Sequence, residues 1–312
     1  MLVACLAAVW VLWGSVYLGI RLVINEVDPF QAMAQRFLVA GLLLTVVVVV
    51  RRGPAGMRVS RRELGALVLT GVLLLGLGNG LQALGQVEGL PSGVAALVIA
   101  CVPAWAVLLR AVTGDRPPLM TWAGVVVGFL GLVVLVVLGG GSGGTIPLLG
   151  VLLCVVASLC WTVGGHLQGV LRLPRDLLTV AAYQQLVAAC CSALLAVVSG
   201  ERLDVGYSPR GWAALGYLVV ACSIVAFLAF AWLLTHVPLS LTATHAYVNP
   251  VVAVLLGWLV LGEPVGLPVL LGGSVVVGAV VLIVLAERPP GAGRSAAVLQ
   301  EAAAVTPITP RG

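Results

Sequence analysis

What most restricts this chain is the recurrence, along nearly its whole length, of apolar runs of about 20 residues, each long enough to cross some 30 Å of hydrocarbon as a helix. The runs are separated only by short stretches holding Pro, Gly and charge. Of 312 residues, 61% are hydrophobic and 9% are charged, whereas a soluble domain is nearer a quarter charged. No water-soluble core could hide that much apolar surface, so the bilayer is the solvent. The expected fold is all-α: a polytopic membrane protein with spans near 2–24, 31–50, 64–86, 91–112, 120–138, 148–167, 177–199, 211–235, 241–261 and 266–286. Two of the connections are very short, with Pro91 and Pro264 suiting them to tight helix-to-helix turns.

All sixteen basic residues are Arg, and the net charge is +5. An excess of this kind can signal nucleic-acid binding. Here the arginines sit in short loops between apolar runs, where they report topology instead, and nucleic acid is excluded as a partner. The segment 51–63 is the densest basic cluster, with Arg51, Arg52, Arg58, Arg61 and Arg62, and is expected in the cytoplasm. Alternation from there places twelve arginines inside and three (Arg21, Arg202, Arg210) outside, with Arg36 within a helix and both termini cytoplasmic. The first run is too long for a signal-peptide core and is expected to remain as a spanning helix. The seven cysteines lie inside apolar runs without metal or disulfide spacing. The Lys-free, Ala-, Val- and Gly-rich composition suits a GC-rich bacterial gene, so the expected location is the plasma (inner) membrane.

A glycine-rich segment divides the chain near its middle. Gly139, Gly141 and Gly144 fit a dinucleotide-binding spacing, but the preceding run is long enough to span the membrane and no acid follows at the distance that holds a ribose. The segment reads as a linker, and no cofactor is expected. Across it the two sides align at an offset of 147 to 149: Pro91 on Pro238, Pro103 on Pro250, Gly114-Asp115 on Gly262-Glu263, Gln35 on Gln184 and Trp13 on Trp161. Residues 1–138 and 148–286 are therefore expected to be two copies of one five-helix unit, joined by 139–147 and followed by a disordered cytoplasmic tail, 287–312. Five is odd, so the second copy enters the membrane the other way up. Inverted repeats of this kind place a binding site near the midplane between them.

Three stretches carry a resemblance: Trp13-Gly14-Ser15-Val16-Tyr17-Leu18; Arg36-Phe37-Leu38-Val39-Ala40; and Tyr247-Val248-Asn249-Pro250-Val251 leading to Leu261-Gly262-Glu263-Pro264. In these the chain resembles the EamA-like carriers of the drug/metabolite transporter superfamily. The resemblance implies transport of amino acids, related metabolites or drugs, often outward, through a cavity between the repeats. Where the first repeat has Arg36 the second has Gln185, so a role for the arginine does not carry over to the second half.

Polar side chains inside the spans are costly and need a reason. Arg36 either snorkels or holds a helix end, or it meets an anionic substrate group. Asn79, Gln82 and Gln86 share one face of the third span, as interhelical glue or as cavity lining. His245 and Asn249 flank Tyr247 just before Pro250, where a freed carbonyl and a broken helix are expected. Trp10, Trp13 and Tyr17 form an aromatic stripe on the first span, read with the resemblance as a cavity wall. Trp105, Trp161, His166, Tyr183 and Gln184 complete the candidate substrate cavity. No Asp or Glu falls clearly inside a span, so no carboxylate proton relay is evident; a coupling proton taken by a boundary acid such as Glu88, a counter-substrate, or a facilitator are the alternatives. With scattered histidines and no nucleophile beside a base, an intramembrane enzyme has little chemistry available. A channel fits an inverted pair of halves less well than a gated carrier. The expected partners are thus a small-molecule substrate and the lipid bilayer, with oligomeric state left open.

Overall fold

The computed structural model describes residues 1–114, 116–139, 146–202, 205–236 and 244–286. Most of the expected linker (140–145), the tail 287–312, Asp115 and the first residues of the expected ninth span lie outside the described residues. The described residues form ten helical units and no strand. They are α1 (Leu2–Ile24), α2 (Pro29–Arg52), α3 (Arg61–Val87), α4 (Ser92–Val112), α5 (Leu119–Val137), α6 (Leu148–Val170), α7 (Leu177–Val198), α8 (beginning Pro209–Phe230 and running to His236), α9 (His245–Leu261) and α10 (Leu267–Ala286). Nine of these are long and apolar enough to cross a membrane, and α9 is a shorter apolar helix of 17 described residues.

Local chemistry sets the helix ends. Pro29 opens α2 after Asp28, and Gly53, with φ +69°, closes it. Ser60 and Glu63 form a reciprocal capping box at the start of α3. Asp176 caps α7 through Thr179 N (3.2 Å), and Ser208 caps α8 through Gly211 N (3.1 Å). Gly262, left-handed at φ +65°, ends α9.

Three helices contain π-helical turns: Val9–Trp13 in α1, Val72–Leu77 in α3 and Leu218–Val225 in α8. The stretches in α3 and α8 fall on each other at the offset seen in the sequence. Such widened turns recur at functional sites. The helix break differs from expectation. Helix α9 runs continuously through Pro250, whereas α4 breaks at Ala100–Cys101, just ahead of Pro103. Pro103 has no N–H for the Ile99 carbonyl and interrupts the ladder mid-helix; Pro250 stands near the start of α9, where fewer bonds are at stake.

The main packing partners cross the linker. Helix α1 packs on α8, α2 on α7, α3 on α6, α4 on α9 and α5 on α10. This set of pairs is unchanged when each helix is exchanged for its repeat partner, as an inverted duplication requires. In lipid, helices gain little by hiding apolar surface from one another, so close backbone approach supplies the attraction. Gly85 of α3 and Gly150 of α6 provide it: a Cβ on Gly85 would stand 2.8 Å from the Gly150 oxygen, and one on Gly150 would stand 2.7 Å from the Gly85 oxygen.

The connections after α2 and α6 meet on one face, the arginine-rich face. There Arg52 pairs with Asp176 (3.0 Å), Thr179 Oγ1 donates to Gly56 O (3.1 Å) and Tyr183 OH donates to Met57 O (2.7 Å). The opposite, arginine-poor face gathers the turns after α1, α3, α7 and α9. There Glu201 accepts from Phe30 N and Gln31 N, and burial pushes its carboxyl above the usual range against the opposing pull of those two N–H groups.

The glycine contact yields a direct prediction. Gly150→Leu should lower the thermal unfolding midpoint in detergent, in line with an overpacking cost of about 1–3 kcal/mol. Gly165→Leu, on the same helix with nothing within 4 Å of the place a Cβ would occupy, should leave the midpoint unchanged.

Candidate functional site

Arg36 lies in the helix-helix interior, 4% exposed. Its Nε donates to Ser223 Oγ of α8 (3.0 Å) and its Nη1 to Asn79 Oδ1 of α3 (3.3 Å), while its guanidinium sits 4.9 Å from the Phe37 ring centroid. The π-helical stretch of α8 presents Ser223 to this point, and the one in α3 ends just before Asn79. Gln185 reaches the same residue, with Nε2 donating to Ser223 O (3.0 Å). The two positions that the repeat relates, Arg36 and Gln185, therefore converge on one serine.

Among the described residues no carboxylate comes within ion-pairing distance of Arg36. A guanidinium has five N–H donors, and its two short bonds here leave donors over. One and two turns beyond Asn79 on α3, Gln82 Nε2 and both amide atoms of Gln86 are buried without a hydrogen-bond partner among the described residues. A buried cation with neutral neighbours is an arrangement of high energy in hydrocarbon, and so are unsatisfied amides.

Against this polar group stands a box of rings from four helices. The Trp13 ring lies 4.7 Å from Phe230 (α8), 5.3 Å from His245 (α9) and 6.5 Å from Trp161 (α6), and Phe230 is 5.5 Å from His245. Trp13 also packs on the core cluster that holds Met33, Phe37 and Cys222, whose Phe37 lies against the Arg36 guanidinium, and Trp161 lies over Gly78, next to Asn79. Trp13, Trp161, Phe230 and His245 are all partly exposed, whereas Gln86, Leu90 and Ser92 toward the arginine-poor face are fully buried. A cleft of about 520 Å³ at the arginine-rich loops (Arg58, Arg172, Asp176) and a groove of about 410 Å³ on the membrane side of α1 and α8 both lie away from Arg36.

The structure divides the candidates. Arg36, Asn79, Trp13, Trp161 and His245 gather around this centre, with Gln82 and Gln86 one and two turns further along α3. Trp10 and Asn249 adjoin it in a seam between α1 and α9: Trp10 Nε1 donates to Thr244 Oγ1 (3.0 Å), and Asn249, with its amide nitrogen turned toward the carbonyls, donates to Trp10 O and His245 O (3.2 Å each). Others pack elsewhere. Tyr17 is buried among Leu90, Ala95, Cys154 and Ala253, so the aromatic stripe is split. The π turn at Val9–Trp13, which holds more residues than an α turn, also takes Trp10 out of the regular α-helical register that the stripe presumes. Trp105 bonds Ser158 (2.9 Å) and stacks edge-on with Phe129, Gln184 bonds Thr70 (2.9 Å), Tyr183 faces the arginine-rich loop, and Tyr247 packs on Ala100, Val276 and Val280. His166 is half-buried further along α6. Ser223 and Phe230 join the site although neither carries a signal of its own within its apolar run; only the repeat offset, which sets Gln185 on Arg36, points to that side.

If Arg36 is kept for a ligand and not for the fold, Arg36→Met should raise the unfolding midpoint, equivalent to about 1 kcal/mol or more, by removing a buried charge that has no counter-ion. A lower midpoint on thermal melting in detergent would assign Arg36 to the fold.

The sequence pattern of the EamA-like transporter family matches the chain twice, over residues 1–137 and 148–285. The inner membrane transporter YedA of Escherichia coli (strain K12) is 33% identical over 287 residues, covering 92% of this chain and 91% of its own. A protein of Streptantibioticus cattleyicolor, named as a probable terminal-alkyne amino-acid exporter, is 28% identical over 294 residues, covering 88% of this chain and 93% of its own. A solved crystal structure shares the fold with a TM-score of 0.62 at 21% identity, covering 90% of this chain and 96% of that one. The chain belongs to the EamA-like transporter family and is a multi-pass transporter of the inner membrane.

Proposed function

We propose that the protein carries a small metabolite with a carboxylate and an apolar body, an amino acid or a close relative, out of the cytoplasm by alternating access. The observation that carries this reading is Arg36: buried, without a carboxylate partner among the described residues, and adjoining the ring box of Trp13, Trp161, Phe230 and His245. A carboxylate would take the spare guanidinium donors in charge-assisted bonds, and its fixed fork geometry suits that group. The rings would cover the apolar part of the substrate, and the faces of Trp13 and Trp161 can also meet an α-ammonium. Asn79 and Ser223 orient the guanidinium from the first and second halves respectively, so a motion of α3 or α8 against α2 changes the site.

The positive-inside rule sets the arginine-rich face and both termini in the cytoplasm. Residues 1–138 and 148–286 then form the two inverted repeats about the midplane site, and alternating access rearranges helices of both around it. The partly exposed rings lie toward the cytoplasmic face and the buried amides toward the other, which suits loading from inside. The relative named as an amino-acid exporter supports the same substrate class and direction.

Counterflow in proteoliposomes tests the reading. Wild-type protein should exchange radiolabelled amino acids, and Arg36→Gln should raise the half-saturating concentration roughly 30-fold, the equivalent of losing a charge-assisted contact of about 2 kcal/mol. Arg36→Lys should recover only part of that loss, since an ammonium cannot form the paired contact. Exchange of drug-like cations, unaffected by Arg36→Gln, would replace the amino-acid reading with drug efflux.

A further inference from the structure

The arginine-poor face is closed by carboxylates that cross between the halves. Glu26, in the turn after α1, accepts from Ser208 N (2.8 Å) and Ser208 Oγ (2.6 Å) at the start of α8. Glu263, in the turn after α9, accepts from Ser92 N (2.8 Å), Ser92 Oγ (2.9 Å) and Gly93 N (3.2 Å) at the start of α4. Glu201, after α7, accepts from Phe30 N (3.2 Å) and Gln31 N (2.8 Å) at the start of α2. A helix start offers unpaired N–H groups and a positive dipole end, so an ionised carboxylate is a strong cap. Gly211 and Gly257 stand directly under the Glu26 and Glu263 carboxylates, where a Cβ would collide with them. The two acids are seated, not merely nearby.

The three caps differ in what lies at the other end of their helices. Helices α2 and α7, which Glu201 joins, are joined again at the arginine-rich face by Arg52–Asp176, Thr179–Gly56 and Tyr183–Met57. A pair fastened at both ends moves as one body. Helices α1 and α8 meet at that face through apolar Leu6, Val9 and Leu233. Helix α9 packs along Ser92–Ile99 of α4, the segment next to Glu263, and its contact with Val102–Val112 is sparse. The break at Ala100–Cys101 separates those two segments of α4, so the first can swing without carrying the second.

We propose that Glu263 and Glu26 are the latches of the outer gate: they hold α4 to α9 and α1 to α8 while the arginine-poor face is shut and let go when it opens, while Glu201 keeps α2 and α7 together throughout. The inference rests on the alternating-access reading, but its test needs no substrate. Cys154 of α6 is fully buried beneath this face, packed with Leu90, Val94 and Tyr17. In right-side-out membrane vesicles, a membrane-impermeant maleimide should reach Cys154 only when the gate opens, and peptide mass spectrometry reads its modification separately from the other native thiols.

Glu263→Gln and Glu26→Gln should each raise the rate of Cys154 modification about tenfold, the effect of weakening one charge-assisted tie. Glu88→Gln, at an exposed acid of the same face whose carboxylate holds no helix start among the described residues, should leave the rate unchanged. An unchanged rate in both latch variants would overturn the proposal. So would a parallel rise at Cys191 of α7, packed against Gly76 in the body that stays together, because that would mean general loosening and not an opened gate. Failure of amino-acid counterflow with intact latch behaviour would reject the substrate and leave the gate standing.

Discussion

A bilayer offers no water to a backbone amide, and nearly every feature of this protein follows from that one constraint. Helices are the form in which the apolar runs satisfy their own backbone, and helix contact must then come from close packing and from polar groups matched across interfaces. The chain meets the second demand by pairing first-half helices with second-half helices. Glycine contacts such as Gly85 with Gly150 close the apolar parts of those interfaces, and carboxylates at helix starts close one end. Neither half is complete alone. That interdependence leaves an extensive shared surface between the halves, tied at the helix ends by a small number of polar contacts.

The centre of the molecule differs because it breaks the rule. Arg36 keeps a charge in the interior with a serine, an asparagine and an aromatic face around it, and Gln82 and Gln86, further along α3, leave amide atoms unpaired among the described residues. Sites that violate polar satisfaction are expected where function demands it. The ring box near Arg36 is the other half of the recognition surface proposed for a metabolite. Membership in the EamA-like transporter family gives that surface its context, and its chemistry selects the class of molecule proposed for it.

Much of this is legible in the sequence because it depends on local period and charge. Run length locates the spans, the arginine distribution tells one face from the other, and the expense of charge in hydrocarbon singles out Arg36 and the amide face of α3. The remainder depends on geometry that no short window carries. The stripe Trp10, Trp13, Tyr17 presumes a regular α-helix and one shared neighbour, but a π turn at Val9–Trp13 shifts the register and Tyr17, further along α1, packs in a different cluster. The break expected at Pro250 occurs at its repeat partner Pro103, since the cost of a proline depends on how much helix precedes it. Ser223, Phe230, Glu26, Glu201 and Glu263 act on residues at least 170 positions away or through rings on other helices, and in sequence they look like ordinary span or turn residues.

The central claim is that the Arg36 site recognises a carboxylate attached to an apolar body, and ligand chemistry tests it without altering the protein. Tryptophan fluorescence of the purified wild-type carrier, titrated with apolar amino acids and with their carboxamide counterparts, reads occupancy of a site walled by Trp13 and Trp161. Saturable quenching by the acids, with the amides binding at least about tenfold more weakly for want of the charge-assisted contact, is the result this account predicts. Equal binding of acid and amide would contradict it, because Arg36 would then be part of the scaffold and the substrate would be chosen by its apolar body alone.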